Sequence, residues 1–300
     1  MGIIDDIKME YRIGGVVQRL IFWNVGLFII PLIIFSLLKL GGVVLPALDW
    51  TIGGTANWFS ISSSPADLLW KPWSVFTYAF LHNDFLHLFF NMLWLFFVGR
   101  LFLTFFTQKQ FFGLYVLASV FAGLVFIGSY QIIPILTGTI APMVGASGAI
   151  MAILVATAVY APQYQVRLML IGTVRLWHIA GVFIVLDLID VSVSNSGGHI
   201  AHLSGALFGF AYIKLLQNGT DLSKGVSVII DFFVNLFKPR KSTPFKKVHR
   251  NPAPQQTRTT ARPVKDLTQQ QIDEILDKIS RSGYDSLTKE EKDFLFKVGK

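Results

Sequence analysis

The sequence predicts an all-α, polytopic membrane protein: six transmembrane helices followed by a short C-terminal cytoplasmic helical hairpin. Three observations carry this. Hydrophobic residues make up 53% of the 300 and charged residues only 15%, where a soluble domain carries about 25% charge. The apolar residues crowd between Leu20 and Leu216, in blocks long enough to cross a hydrocarbon core of about 30 Å. These runs are unbroken, whereas a membrane β-barrel is built from alternating segments of about ten residues.

The elements follow in order. Residues 1–19 are a charge-mixed cytoplasmic tail, and the apolar run after them lacks a small-residue cleavage site, so it reads as a retained anchor. Span one covers about Leu20–Leu40, with a kink expected at Pro31. Span two is Phe85–Phe106, span three Phe111–Tyr130, and span four runs from Ser147 to near Tyr160, ahead of Pro162. Span five is Val174–Val191 and span six Ile200–Leu216. Together they make a membrane domain over residues 20–217. Arg12, Arg19, Arg100, Lys109, Arg167 and Arg175 fall on one set of connections, and only Lys71 falls on the other. The positive-inside bias therefore predicts both termini in the cytoplasm and the 41–84 loop outside. Trp50, Trp58, Trp70 and Trp73 on that loop suit the headgroup layer.

Residues 218–265 begin as an amphipathic stretch expected to lie along the inner membrane surface. They continue as a basic, proline-rich linker. Between Lys238 and Lys265 there are nine Lys/Arg and no acid. That composition reads as disordered and attractive to anionic lipid headgroups. The formal charge of +8 comes from this tail, so a nucleic-acid partner is not implied. Residues 266–300 read as the helical hairpin. Thr268 with Gln271 and Thr288 with Glu291 are capping-box pairs, Ile272, Ile275, Leu276 and Ile279 have helical spacing, and Gly283 is a stop. So small a unit buries little surface, and a protein partner or its own membrane domain is expected to cover it.

No cysteine is present, which excludes thiolate chemistry and disulfides. The polar residues inside the spans carry the functional signal, because each is expensive there. His87 and Asn91 are four apart and share one side of span two. His199 and His202 open span six, and Ser147 opens span four. All lie at the outer ends of their spans. Gly145, Gly148, Gly205 and Gly209 are small-residue positions that allow close helix approach. Such packing is a sufficient reading of "GASGA" taken alone. Together, however, a hydroxyl, a base and amide or imidazole donors at one depth suit acyl transfer. "HIAH" lacks the spacing and the Glu of a zinc-protease motif. Asp187 and Asp190 sit near the outer end of span five, and no intramembrane carboxylate is expected as a third ligand, so no metal is implied.

At this point the chain resembles the rhomboid family of intramembrane serine proteases. Three motifs carry the resemblance: H-x-x-x-N at His87–Asn91, "GASGA" around Ser147, and "AHLSGALFG" around His202. They come in the right order over about residues 15–217. The resemblance implies a six-helix rhomboid bundle with Ser147 as nucleophile and His202 as base and then acid. It implies His87, Asn91 and the Ser147 backbone N–H as oxyanion donors, and no cofactor. His82 matches a further histidine near the outer mouth of some members. His199 stands beside His202 as a second imidazole, and the H-x-x-G-x-x-x-G register favours His202. Met151 replaces the aromatic residue many members carry four positions after the serine, and Ser74 follows Trp73 where an arginine is frequent. The implied substrates are single-pass membrane proteins, and the short N-terminus favours a bacterial plasma membrane. An inactive relative that binds transmembrane clients is the same-fold alternative. A transporter would want charges lining a path through the spans.

Overall fold

A computed structural model of the chain describes residues 2–45, 57–168, 172–237 and 267–298. The membrane domain begins with α1 (Ile3–Ile13) and α2 (Val16–Leu40). Residues 1–19, expected as a tail, thus contain a helix, held to α2 by the Gln18 amide donating to Glu10 at 2.7 Å. The 41–84 loop carries the short helices α3 (Asp67–Trp70) and α4 (Ser74–Thr77) and a 3-10 turn over Tyr78–Phe80. Then come α5 (Phe85–Phe102), α6 (Gln108–Ile132), α7 (Ser147–Tyr160), α8 (Leu176–Asp190), α9 (Ser196–Gln217) and α10 (Ser223–Phe237).

Helices α2, α5, α6 and α9 are long and apolar enough to cross a membrane. Their outward side chains agree with that: Ile29, Ile30, Ile33 and Leu37 on α2 are exposed, as are Leu207 and Phe210 on α9. Only lipid makes such a surface favourable, because water would penalise every one of these groups. The molecule is an integral membrane protein. Helix α7 differs from the rest. Every residue from Gly148 to Ala158 is buried, so this helix is the core around which α5, α6, α8 and α9 pack. Its one buried hydroxyl away from the site, on Thr157, is satisfied by the Ile153 carbonyl at 2.7 Å.

Two small antiparallel pairs interrupt the all-α expectation. Strands β1 (Ile61–Ser62) and β2 (Pro142–Met143) tie the 41–84 loop to the segment just before α7. Strands β3 (Gln165–Leu168) and β4 (Gly172–Arg175) form a hairpin after α7. That hairpin moves the start of the fifth apolar helix from the expected Val174 to Leu176, because Val174 pairs with Val166. The second ends at Phe102, not Phe106, because the chain turns there into a capping box: Thr107 Oγ1 accepts from Gln110 N, and Gln110 Oε1 accepts from Thr107 N.

Trp58, Trp70 and Trp73 are exposed on the long loop, and Trp50 lies outside the described residues. With Ser74 buried in place of an arginine, other groups hold this loop. Lys71 Nζ donates to the Asn57 carbonyl at 3.0 Å, Trp73 Nε1 to Trp58 at 2.9 Å, and Tyr78 Oη to Ser119 on α6 at 2.7 Å.

Helix α10 packs against α6 where Gly113 meets Ser223, and leaves Val228, Ile229, Phe232 and Phe233 exposed. The described residues 267–298 belong to a second compact unit. It contains α11 (Leu267–Ser282), a 3-10 turn over Tyr284–Ser286 and α12 (Lys289–Val298). Gly283 turns the chain with φ +77°. The Thr288–Glu291 capping pair is formed, and Lys278 Nζ bonds both Glu291 oxygens at 2.9 Å. Ile275 is buried, but Leu276, expected on the same apolar face, is half exposed. The expected basic linker and the Thr268 side chain lie outside the described residues.

Candidate active site

The site forms where the first turn of α7 meets the first two turns of α9 and α5. Gly145 enters it with φ +128°, a region that L side chains rarely adopt, and its N–H donates to the Tyr78 carbonyl at 3.0 Å. A Cβ at Gly145 would press to 2.9 Å from His87 Nε2. The glycine therefore lets the chain turn directly over His87 and deliver Ser147 as the first residue of α7.

Helices α7 and α9 are in backbone contact. A Cβ on Gly205 would land on the Gly148 carbonyl oxygen, and one on Gly209 on the Ala152 carbonyl oxygen. From the other side, a Cβ on Gly148 would stand 3.2 Å from the Ala201 carbonyl. Small residues at these levels remove the side-chain layer that normally separates helices by 8–10 Å. The consequence is local: His202 Nε2 lies 2.7 Å from Ser147 Oγ.

Around this pair is a cavity of about 420 Å³, lined by His87, Asn91, Gly145, Ser147, Met151 and His202 among others. Asp84 caps α5 by accepting from His87 N at 2.9 Å, which sets His87 at the mouth of its helix. The His87 Nδ1 accepts a long bond from Asn83 N at 3.4 Å. That leaves its proton on Nε2, the atom facing Gly145. Asn91 Nδ2 donates to the His87 carbonyl at 2.8 Å, and its second amide hydrogen remains for another acceptor. The three N–H groups opening α7 have no intrahelical partner, and they sit at the positive end of its dipole.

The other expected residues separate. Met151 is buried on α7 and lines the cavity. His82 lies in the loop before α5, 2% exposed, with its ring edge-on to His87 at 5.1 Å. Burial, helped by neighbouring His87, pushes its pKa down to about 3, so it is neutral at physiological pH. His199 does not reach Ser147 but turns to α8, where its Nδ1 lies 2.7 Å from Asp187 Oδ1.

Asp187 is the residue that sequence reasoning passed over. It is 6% exposed, and the same Oδ1 lies 2.9 Å from His202 Nδ1. The expectation that no intramembrane carboxylate stands beside these histidines is therefore corrected. Its end-of-helix position hid it, because α8 leaves many of its apolar residues exposed and fully buries only Leu176, Ala180 and Asp187. The available signal was an acid within the apolar stretch Ile179–Ile189, twelve and fifteen residues before the two histidines. Asp187, His199 and His202 also hold their ligand atoms within 4.8 Å of one another, the spacing of a metal cluster. Here Oδ1 already accepts from both Nδ1 atoms, so hydrogen bonding accounts for the grouping without an ion.

Helices with lipid-facing exteriors around a polar, small-residue core define a class of membrane protein with an internal site. The Rhomboid domain family matches residues 69–218, half of the chain, and the protein belongs to the rhomboid family. A second family, described as of unknown function (DUF6576), matches residues 263–297. No curated protein matches the chain.

Proposed function

We propose that this chain is a rhomboid-type intramembrane serine endopeptidase. It would use a six-span bundle over residues 20–217, with α7 and α8 as the two shorter spans, and cut single-pass membrane proteins. The observation that carries this reading is the 2.7 Å approach of His202 Nε2 to Ser147 Oγ on the wall of the cavity. A hydroxyl becomes a nucleophile when a neutral imidazole can take its proton at this distance.

The chemistry runs in two halves. Ser147 Oγ attacks the scissile carbonyl carbon as its proton passes to His202 Nε2, and the carbonyl oxygen becomes an oxyanion. Donors for that charge would be the Ser147 N–H, His87 Nε2–H and the free amide hydrogen of Asn91. The C–N bond then breaks, and the departing amine takes the proton from His202. Water, deprotonated by the same imidazole, then attacks the acyl carbon, and the ester C–O bond breaks as His202 returns that proton to Ser147 Oγ. The α7 helix is about 21 Å long at 1.5 Å per residue, shorter than the hydrocarbon core. One end therefore stops within the membrane's depth, and the cavity would bring water to it. The positive-inside pattern supports cytoplasmic termini, which would put the basic linker beside anionic headgroups and the hairpin over 266–300 in the cytoplasm; a bacterial inner membrane is the proposed setting.

Purified protein in liposomes with a single-span reporter tests this. Ser147→Ala and His202→Ala should each lose at least about 10³-fold in kcat. Asn91→Ala should lose about 10²-fold, because other oxyanion donors remain. His199→Ala should keep measurable cleavage; if it alone abolishes activity while His202→Ala does not, the base is misassigned. Undiminished cleavage by Ser147→Ala would end the reading.

A further inference from the structure

A two-residue mechanism leaves Asp187 without a task, although a carboxylate in an apolar helix is costly and needs a reason. Its side chain is 8% exposed. One oxygen, Oδ1, meets Nδ1 of His199 at 2.7 Å and Nδ1 of His202 at 2.9 Å, while Oδ2 is buried with no hydrogen-bond partner among the described residues. A purely structural clamp between α8 and α9 would be complete with His199 alone. The second bond goes to the very imidazole that faces Ser147.

An ionised carboxylate only accepts. Both Nδ1 atoms must then carry the hydrogen, and this fixes the His202 tautomer: proton on Nδ1, lone pair on Nε2, with Nε2 directed at Ser147 Oγ. We propose that Asp187 is the positioning residue of this site, converting the Ser147–His202 pair into a three-membered Ser–His–Asp relay across α7, α9 and α8. This rests on the protease reading above. When Ser147 Oγ–H passes its proton to His202 Nε2, the imidazolium formed is paired at once with a carboxylate already in place. That proton goes on from Nε2 to the departing amine, and Asp187 stays ionised throughout. His199, sharing Oδ1, holds the carboxylate against α9 so that it does not rotate away between turnovers. The unpaired Oδ2 agrees with this, since the carboxylate is aimed at the histidines and not at its own helix.

The experiment uses the full chain in detergent micelles. It compares wild type with Asp187→Asn, Asp187→Glu and Ser147→Ala, by reporter kinetics, thermal unfolding and ¹⁵N-histidine NMR, with His202→Ala to assign the signal. In wild type, His202 should carry its proton on Nδ1. Asp187→Asn offers an amide that donates to Nδ1, so the proton moves to Nε2. Its kcat should then fall about 10²–10⁴-fold with KM within about threefold, at an unchanged unfolding midpoint. Asp187→Glu keeps the acceptor and should recover part of that loss. If wild-type His202 holds its proton on Nε2, or if Asp187→Asn retains kcat within about threefold, the proposal falls and the Ser147–His202 reading stands. Should Asp187→Asn fail to fold, the wild-type tautomer still decides. Full cleavage by Ser147→Ala would instead remove the protease reading and this proposal with it.

Discussion

His82 shows how one side chain can tie stability to pH without touching the reacting atoms. It is nearly fully buried, and burial holds its pKa at about 3 against an ordinary 6.5. The unfolded chain binds the proton first as pH falls. Stability from the neutral imidazole is therefore complete above about pH 6.5 and is lost progressively down toward pH 3, by up to about 1.4 kcal/mol per pH unit. Unfolding midpoints in micelles, measured from pH 7.5 to 4.5, should fall less steeply for His82→Phe than for wild type. Equal slopes would mean that the ring is hydrated in the folded protein. The same residue marks a limit of sequence reading: the motif put it near the mouth of the site, but its burial depends on the packing of the 41–84 loop, which local pattern does not encode.

At the scale of helices, the glycines make a more specific claim than close packing. Gly205 and Gly209 both meet carbonyl oxygens of α7, one turn apart, but only Gly205 faces Gly148, the residue after Ser147. An alanine at either should push α9 from α7 and cost about 1–3 kcal/mol. At Gly205 the added methyl also opens the Ser147–His202 contact, where a shift of about 1 Å costs about 10²-fold in rate. Gly205→Ala should thus lose about 10²-fold in kcat and Gly209→Ala much less, with similar falls in unfolding midpoint. Parallel losses of activity would show that the glycines serve global packing alone. These contacts were legible because small residues at i and i+4 have one geometric use in an apolar helix. The helix ends were less so. Leu103, Phe105 and Phe106 follow Phe102, and Val174 stands two residues before the apolar run that opens at Leu176, so hydropathy extends past the points where the backbone has already turned or paired as a strand. Asp187 was misjudged for a related reason, since an acid near a helix end reads as a solvated terminus until the neighbouring helix is seen to carry two imidazoles toward it.

The whole chain divides in a way that separates chemistry from whatever the C-terminal part does. Ser147, His202, Asp187, His87 and Asn91 all belong to the first compact unit, residues 1–239, and that unit ends just after α10. Helix α10 stays with it because Asp221, in the turn before that helix, gathers α6, α9 and the start of α10. Its carboxylate accepts from Gln110 at 3.2 Å, Tyr212 at 3.3 Å, and the Ser223 backbone and hydroxyl at 2.9 and 2.6 Å. Burial raises the Asp221 pKa, but these donors outweigh it and hold the carboxyl below its usual range. Every described residue that lines the cavity belongs to the first unit. A chain ending at Phe237 keeps every one of these residues, so it should fold and should label at Ser147 with a fluorophosphonate at a rate within about threefold of the full chain. A chain ending at Leu216 removes Asp221 and α10 and exposes the Gly113 face of α6, so its unfolding midpoint should fall. If the Phe237 truncation instead abolishes labelling while its unfolding midpoint is unchanged, the C-terminal unit acts on the site directly.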